Sequence, residues 1–261
     1  MKLYTFFLIL ITLFMAPYKH LSAQEKEVIV LGTIHGDHNR FPLYNFETLR
    51  IVIEHLSPDL IIIEEDPISF EKKMYEVLSE DEYMKKRPIE IKKVVMPYAL
   101  KNKIKVFPVD DRAEYDDNLN KIEKNLSKLI DTEGKKKAIA TVMKSYESLF
   151  FDDYLKKDIY FFHSDGTMAI IEQQIELAKA NSILAPAQEL DETRQIKIDH
   201  NIVNVLKINQ YKRALVVFGL SHRPSILRAI DKSKIATILP LEKALKSKIP
   251  GYFERQGSMF Y

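Results

Sequence analysis

The sequence predicts an α/β fold with a mainly parallel central sheet, flanking helices and a helical cap insertion. Five short apolar runs, rich in β-branched residues, lack the alternation of a half-exposed strand, which is typical of strands buried on both faces. These predicted strands are Val28–Leu31, Leu60–Ile63, Val106–Val109, Leu215–Phe218 and Ile235–Leu239. Helical patterns separate the first three runs, and such strand–helix–strand units favour parallel pairing with right-handed crossovers.

Three helices are predicted between these first strands. The segment Phe46–Leu56 precedes the second strand and carries its apolar residues on one stripe with a 3.6-residue period. Phe70–Leu78 and Glu90–Asn102 lie between the second and third strands, and the latter repeats the same spacing of apolar residues. Each segment is long enough to return the chain to the start of the next parallel strand.

The stretch from about residue 115 to 210 has helical patterns throughout and no strand signal. Its predicted helices are Asp117–Ile130, Lys135–Phe150 (after a stop at Gly134), Gly166–Asn181 and Leu190–Leu206. Because the stretch lies between the third and fourth strands, we expect it to form a helical cap over one edge of the sheet. Residues 24–261 then form a single α/β domain, which their length allows.

Composition excludes several functional classes. The 39 Lys and Arg residues nearly balance the 37 Asp and Glu residues, so no basic face is indicated and nucleic-acid binding is not expected. The chain has no cysteine, which excludes disulfides, thiolate metal sites and a cysteine nucleophile. Any transition metal must therefore be bound by His, Asp and Glu side chains.

The amino terminus has the pattern of a secretory signal peptide over residues 1–23. Lys2 precedes the apolar run Leu3–Ala16, and the segment Pro17–Ala23 ends in a small residue. The apolar run is shorter than the roughly 20 residues that span a bilayer, which favours cleavage after Ala23 over an uncleaved anchor. The mature protein is therefore expected to be secreted or periplasmic, with no stable membrane insertion.

Polar residues follow the predicted strands where each strand ends. The first and fourth strands lead into Gly-x-x-His turns that end at His35 and His222, while Glu64 and Asp110 follow the second and third strands. The carboxyl ends of parallel strands share one edge of a sheet, and ligands bind in the crevice there. Two histidines and two carboxylates from distant parts of the chain are thus expected to converge.

Each of these residues also has a structural explanation when it is taken alone. Asp110 suits a helix N-cap, Glu64 suits a salt bridge with Arg112 or Arg223, and a lone histidine is more often structural than a ligand. The two histidines in equivalent turns, joined by acids on neighbouring strands, favour a functional site instead.

The residue types at this edge predict a divalent metal centre of Mn, Co, Zn or Fe. The predicted ligands are His35, His222, Glu64 and Asp110. Such an ion lowers the pKa of a bound water and polarises a carbonyl group, and Glu64 is either the general base or a third ligand. Arg194, at the start of a predicted helix, is expected to clamp a substrate carboxylate or oxyanion; the alternative is a surface arginine.

The strand-end motifs resemble those of the TraB/TIKI family. The similar segments, in order, are Gly32–His35, Pro58–Glu64, Val109–Arg112, Arg194 ahead of a helix, and Val216–His222. The wider superfamily includes the erythromycin-esterase-like and ChaN-like proteins. The resemblance implies a capped sheet with a site built from both histidines, the glutamate and the arginine. TIKI members are metal-dependent proteases, which implies a metal-dependent protease activity. ChaN-like members bind haem, which implies haem as a ligand instead.

Two functions are therefore considered from the sequence. The first is an exported metal-dependent hydrolase, peptidase-like, that acts on a peptide or small-molecule substrate with His35, His222, Glu64 and Arg194 as catalytic residues. The alternative is a non-catalytic protein that binds a small ligand, a peptide or haem in the same cleft. In that case the aromatic run Tyr160–Phe162 is expected to line the pocket.

Overall fold

A five-stranded parallel sheet forms the centre of the computed structural model, which describes residues 25–70, 88–110, 112–129, 132–150 and 153–246. The strands are β1 (Glu27–Thr33), β2 (Leu60–Ile63), β3 (Lys105–Pro108), β4 (Arg213–Gly219) and β5 (Thr237–Ile238). Their order is β3-β2-β4-β1-β5, and every neighbouring pair is parallel. The predicted α/β class and its five strands are confirmed, with small differences at the strand ends.

Helices flank this sheet and fill the chain between its strands. They are α1 (Phe46–Leu56), α2 (Met96–Asn102), α3 (Arg112–Leu129), α4 (Thr132–Phe150), α5 (Ile159–Phe162), α6 (Asp165–Ala180), α7 (Ala185–Ile208), α8 (Arg223–Ser233) and α9 (Leu241–Lys246). A π-helical turn, Ile91–Val95, leads into α2. Short 3-10 helices, among them His35–Asn39 and Leu220–His222, follow β1 and β4 directly.

Helix α1 has the bounds that its apolar stripe predicts. At its start the Asn45 side chain accepts a hydrogen bond from the Thr48 backbone N–H over 2.8 Å, which satisfies one of the free N–H groups of the first turn. At its end Ser57 adopts a left-handed backbone with φ of 48°, a conformation that stops a helix. The apolar stripe of α1 is buried against the sheet.

Two apolar layers cover the two faces of the sheet. Alternate residues of β1 point to opposite sides, so Ile29 and Leu31 pack in the layer that contains α1, while Val28 and Val30 pack in the layer that contains α7. The helical stretch between β3 and β4 contributes to both layers. It supplies Leu149, Phe150, Ile159, Phe162 and Ile171 to the first and Ile198, Ile202 and Leu206 to the second.

The predicted helical insertion is observed, but it does more than cap one edge. Its last helix, α7, covers a face of the sheet, because Ile198 and Ile202 repeat at a four-residue spacing and lie on one side of the helix. Helix α7 also begins at Ala185 and not at the predicted Leu190. Gly134, predicted as a stop, lies inside α4.

Two predicted segments lie wholly or mostly outside the described residues. They are the signal peptide at 1–23 and the helix predicted over Phe70–Leu78, of which only Phe70 is described. Within the part of the chain that the structure describes, no helix combines the length and the apolar character needed to cross a membrane.

Candidate active site

The ends of β1, β2 and β4 bring the predicted residues to one edge of the sheet. Thr33 lies opposite Gly219 in the β1–β4 pair, and the Glu64 backbone N–H donates to the Val217 carbonyl over 3.3 Å. Each functional side chain follows directly after its strand, so this register places His35, Glu64 and His222 close together. The convergence expected from the sequence is observed for these three residues.

Glu64 is the buried centre of the group. Its Oε1 accepts a hydrogen bond from Arg194 Nη2 over 3.2 Å and lies 3.6 Å from His222 Nε2. Its Oε2 accepts a hydrogen bond from the Gly219 backbone N–H over 2.6 Å. Burial alone would raise the pKa of Glu64, but His222, His35 and the Gly219 N–H together hold that pKa well below its usual range. Glu64 is therefore an anion at neutral pH.

His35 approaches Glu64 from β1. Its backbone is left-handed, with φ of 48°, an uncommon conformation outside glycine that turns the chain sharply after the strand. Its Nδ1 lies 2.7 Å from Glu90 Oε1, and its side chain is half exposed. Burial lowers the pKa of His35, but the hydrogen bond and negative charge of Glu90 outweigh that effect and raise the pKa above its ordinary value.

His222 approaches Glu64 from the 3-10 helix after β4. Its Nδ1 is hydrogen-bonded to Gln195 Oε1 of α7, and its ring packs edge-on against Phe218. The side chain is only 15% exposed, so this ring is held more firmly than that of His35. Both histidines thus use Nδ1 for a neighbouring side chain. His222 turns Nε2 towards Glu64, and His35 Nε2 and Glu64 Oε2 both lie beside Gly219.

Arg194 is not a surface arginine, because it lies inside α7 and forms a buried pair with Asp110. Its Nε and Nη2 donate to the two carboxylate oxygens of Asp110 over 2.8 and 2.6 Å. The Tyr115 ring covers the guanidinium, with its centroid 4.8 Å from the central carbon. Bidentate pairing of this kind is strong and directional, so Arg194 is held in place beside Glu64.

This pairing corrects the role predicted for Asp110. Both of its carboxylate oxygens accept hydrogen bonds from Arg194, and the residue is fully buried. The geometry therefore assigns Asp110 to the arginine and not to a metal ion. The predicted salt bridge of Glu64 with Arg112 or Arg223 is also replaced, since the partner of Glu64 is Arg194.

Two further histidines support the turn that carries His35. His163 Nε2 accepts a hydrogen bond from the Gly32 backbone N–H over 2.9 Å. His38 is fully buried, with its Nδ1 2.6 Å from the Tyr44 carbonyl and its Nε2 accepting from the Ile34 backbone N–H. Both act on backbone groups, and neither faces Glu64.

The aromatic run Tyr160–Phe162 does not line a pocket. Phe162 is fully buried, with edge contacts to Phe41 and Phe161 and a tilted contact to Tyr44, and Tyr160 and Phe161 pack against the same core. One candidate lining of a ligand pocket is therefore part of the hydrophobic core.

Two clefts open beside the group. The larger, of about 600 Å³, is bordered by Arg194, Gln195 and His222, and the smaller, of about 270 Å³, by His35. Ser221 borders both. Within the described residues the Nη1 atom of Arg194 makes no hydrogen bond, so it remains available to a ligand in the larger cleft.

The types of donor atom in this group suit a divalent metal ion. Two imidazole Nε2 atoms and one ionised carboxylate match the His and Glu ligands that zinc sites use. The 3.6 Å between His222 Nε2 and Glu64 Oε1 is near the distance of about 3.3 Å that separates two ligands of one tetrahedral ion. As the side chains lie, however, no three His, Asp or Glu residues in the described ranges surround a common ion position.

Gly219 allows His35 and Glu64 to approach each other, and Gly219→Ala is expected to disrupt the site without unfolding the protein. A Cβ atom there would lie 2.6 Å from His35 Nε2 and 3.2 Å from Glu64 Oε2. The backbone φ of −52° suits alanine, and the half-exposed imidazole can swing away at little cost in stability. A displacement of about 1 Å lowers turnover by about 10²-fold, which a hydrolysis assay beside thermal unfolding measures.

The matched control for this substitution is Gly36→Ala. An added Cβ at Gly36 meets no atom within 4 Å, so turnover should match that of the wild type. Equal turnover in the two variants would contradict the close approach at Gly219.

The buried histidines predict a loss of stability in acid. Burial lowers the pKa of His38 to about 4 and that of His163 to about 3, whereas an unfolded chain binds the proton near pH 6.5. Below pH 6.5 the unfolded state therefore binds more protons than the native state. The free energy of unfolding should fall by about 1.4 kcal/mol per pH unit for His38 between pH 6.5 and about 4.

Urea unfolding at a series of pH values measures this effect. In His38→Gln the free energy of unfolding should change less with pH between pH 6.5 and 4 than in the wild type. The substitution removes a group that binds a proton over this range only in the unfolded state. A wild-type stability that stays constant over this range would show that His38 is not a neutral buried group.

Comparison of the chain with models of protein families, with curated proteins and with solved structures finds no match. The resemblance to the TraB/TIKI family therefore stays a prediction from the strand-end motifs.

Proposed function

We propose that the protein is an exported metal-dependent hydrolase that acts on a peptide or ester-like bond. The observation that carries this proposal is the grouping of two imidazole Nε2 atoms around one buried and ionised carboxylate: His222 Nε2 lies 3.6 Å from Glu64 Oε1, and His35 Nε2 and Glu64 Oε2 both lie beside Gly219. The group lies beside two clefts that a substrate can enter. Export rests on the signal-peptide pattern of residues 1–23.

His35, His222 and Glu64 are the residues that would hold a divalent ion. When bound, such an ion lowers the pKa of water and polarises a substrate carbonyl. The low pKa of Glu64 favours its role as a ligand over that of general base, since an efficient base has a pKa near the operating pH. Asp110 is outside this set because Arg194 occupies both of its oxygens.

Arg194 has two tasks in this proposal. Its Nη2 donates to Glu64 and so offsets the negative charge of the buried carboxylate. Arg194 also borders the 600 Å³ cleft, and its Nη1 makes no hydrogen bond within the described residues, so the guanidinium can bind a substrate carboxylate or a developing oxyanion there. Asp110 and Tyr115 hold the guanidinium in that orientation.

The test is a panel of fluorogenic peptides and esters, offered to the exported protein with and without a chelator. Hydrolysis should disappear with the chelator, return with Mn, Co or Zn, and be lost in His35→Ala and His222→Ala while circular dichroism shows a folded protein. The matched control is His200→Ala, an exposed histidine of α7 whose ring contacts Asn204, and it should keep full turnover. Full turnover in both site variants would overturn the proposal.

A further inference from the structure

The two histidines of the proposed site each bind a different side chain through Nδ1. We propose that Glu90, acting on His35, and the Gln195–Asp199 pair, acting on His222, are positioning residues that keep both imidazoles protonated on Nδ1. The Nε2 atoms of the neutral rings then keep the lone pairs that a metal ion binds. This inference deepens the proposed function, which needs those lone pairs to be free, and it concerns residues that the strand-end motifs do not include.

Glu90 determines the tautomer of His35 directly. Its Oε1 accepts a hydrogen bond from the Thr33 hydroxyl over 2.8 Å and lies 2.7 Å from His35 Nδ1. The same oxygen, Oε1, makes both contacts, and because the Thr33 hydroxyl donates to it, Oε1 is an acceptor. A carboxylate only accepts hydrogen bonds, and the proton between the two residues must therefore belong to His35 Nδ1.

The second oxygen of Glu90 indicates that the role of this side chain is its contact with His35. Glu90 is 2% exposed, and its Oε2 is buried without a hydrogen-bond partner among the described residues. An unsatisfied buried polar atom costs stability, and a side chain of this kind calls for a functional explanation. The Thr33 hydroxyl does not explain it, because that hydroxyl has a second acceptor in the Phe218 carbonyl.

Gln195 determines the tautomer of His222 through Asp199. The two oxygens of Asp199 accept hydrogen bonds from Gln195 Nε2 and from the Ser225 hydroxyl, each over 2.7 Å. The amide of Gln195 must therefore turn its NH₂ group to Asp199 and its oxygen to His222 Nδ1. An amide oxygen accepts hydrogen bonds, so the proton again belongs to Nδ1 of the histidine.

The direct test is ¹⁵N NMR of the imidazole rings in the full metal-free chain. The spectra are recorded at alkaline pH, because burial raises the pKa of Asp199 and the carboxylate must be ionised. In the wild type both rings should show the Nδ1–H tautomer. Glu90→Leu should shift His35 towards the Nε2–H tautomer and change its tautomer ratio by about tenfold or more, because a hydrogen bond to a charged group is lost. The tautomer of His222 should not change.

The other variants make the test specific to each ring. Glu90→Gln keeps an acceptor oxygen and should restore the Nδ1–H tautomer of His35, a rescue that a purely structural role of Glu90 does not predict. Gln195→Ala should shift His222 and leave His35 unchanged. Glu90→Leu replaces a buried carboxylate by an apolar side chain, a change that folded proteins often tolerate, and Gln195 is only half-buried. Unchanged tautomers in Glu90→Leu and Gln195→Ala would overturn the inference.

Titration calorimetry with zinc alone separates this inference from the proposed function. Loss of a side chain that holds a metal-binding histidine lowers metal affinity by about 10–100-fold, so Glu90→Leu and Gln195→Ala should bind zinc that much more weakly than the wild type. If the wild type binds no zinc but the tautomers shift as expected, the metal centre is wrong and the positioning role stands. If zinc binds equally well in all variants, the positioning role is wrong.

Discussion

Glu64→Gln is expected to reduce hydrolysis by about 10²-fold or more, because it removes the charged ligand of the proposed metal site, and loss of a residue that only supports such a ligand already lowers metal affinity or activity by about 10–100-fold. The amide has nearly the same shape and keeps an oxygen for the Gly219 N–H, which donates to Glu64 Oε2 over 2.6 Å. It loses the negative charge that faces His35 and His222 and so loses both affinity for a cation and stabilisation of an imidazolium. The measurement is turnover of the best substrate from the panel, with circular dichroism as the check on folding.

The matched control is Glu172→Gln on the wall of the 600 Å³ cleft. Glu172 is exposed and forms a surface pair with Arg228, so its loss changes the net charge near the site as much as Glu64→Gln does. Its turnover should stay within a factor of two or so of the wild type, as expected for a surface pair. If Glu172→Gln and Glu64→Gln lose activity equally, the effect of Glu64 is one of general electrostatics and the assigned role fails.

Asp110→Ala is expected to destabilise the protein by about 3–5 kcal/mol, because it leaves the Arg194 guanidinium buried with one of its two carboxylate partners missing. Asp110 is fully buried, and it accepts two hydrogen bonds from Arg194. Urea unfolding monitored by circular dichroism measures the free energy of unfolding. The double variant Asp110→Ala/Arg194→Leu should recover part of this loss, because it removes the unpaired charge.

Asp116→Ala provides the comparison for this prediction. Asp116 forms an exposed pair with Arg112 over 3.5 Å, and such pairs contribute about 0–1 kcal/mol. A destabilisation by Asp110→Ala that is no larger than that by Asp116→Ala would show that Asp110 does not anchor Arg194.

The strand-end part of the site could be predicted from the sequence because it depends on local patterns. Buried parallel strands are continuous apolar runs, so the residues that follow Leu31, Ile63 and Phe218 are identified by where those runs end. The common edge of a parallel sheet places them on one side of the sheet, and the adjacency of β2, β4 and β1 then brings them together. For this reason His35, Glu64 and His222 were found without knowledge of any side-chain contact.

The second set of residues could not be predicted in this way, because it depends on contacts between distant elements. Glu90 lies at the start of a helix, well removed from any strand end, and becomes relevant only when it meets Thr33 at the end of β1. Asp110 has the strand-end position of a ligand, and only the packing of α7 shows that Arg194 binds it. The four-residue spacing of Gln195 and Asp199 was the one local signal, since such pairs share a helix face.

The measurement that tests the central claim most directly is the metal content of the purified protein, determined by elemental analysis. We expect close to one equivalent of Mn, Co, Zn or Fe per chain, retained in His200→Ala and lost in the double variant His35→Ala/His222→Ala. Absence of metal in the wild type after incubation with each ion, or equal metal in the double variant, would contradict a metal centre at this edge of the sheet.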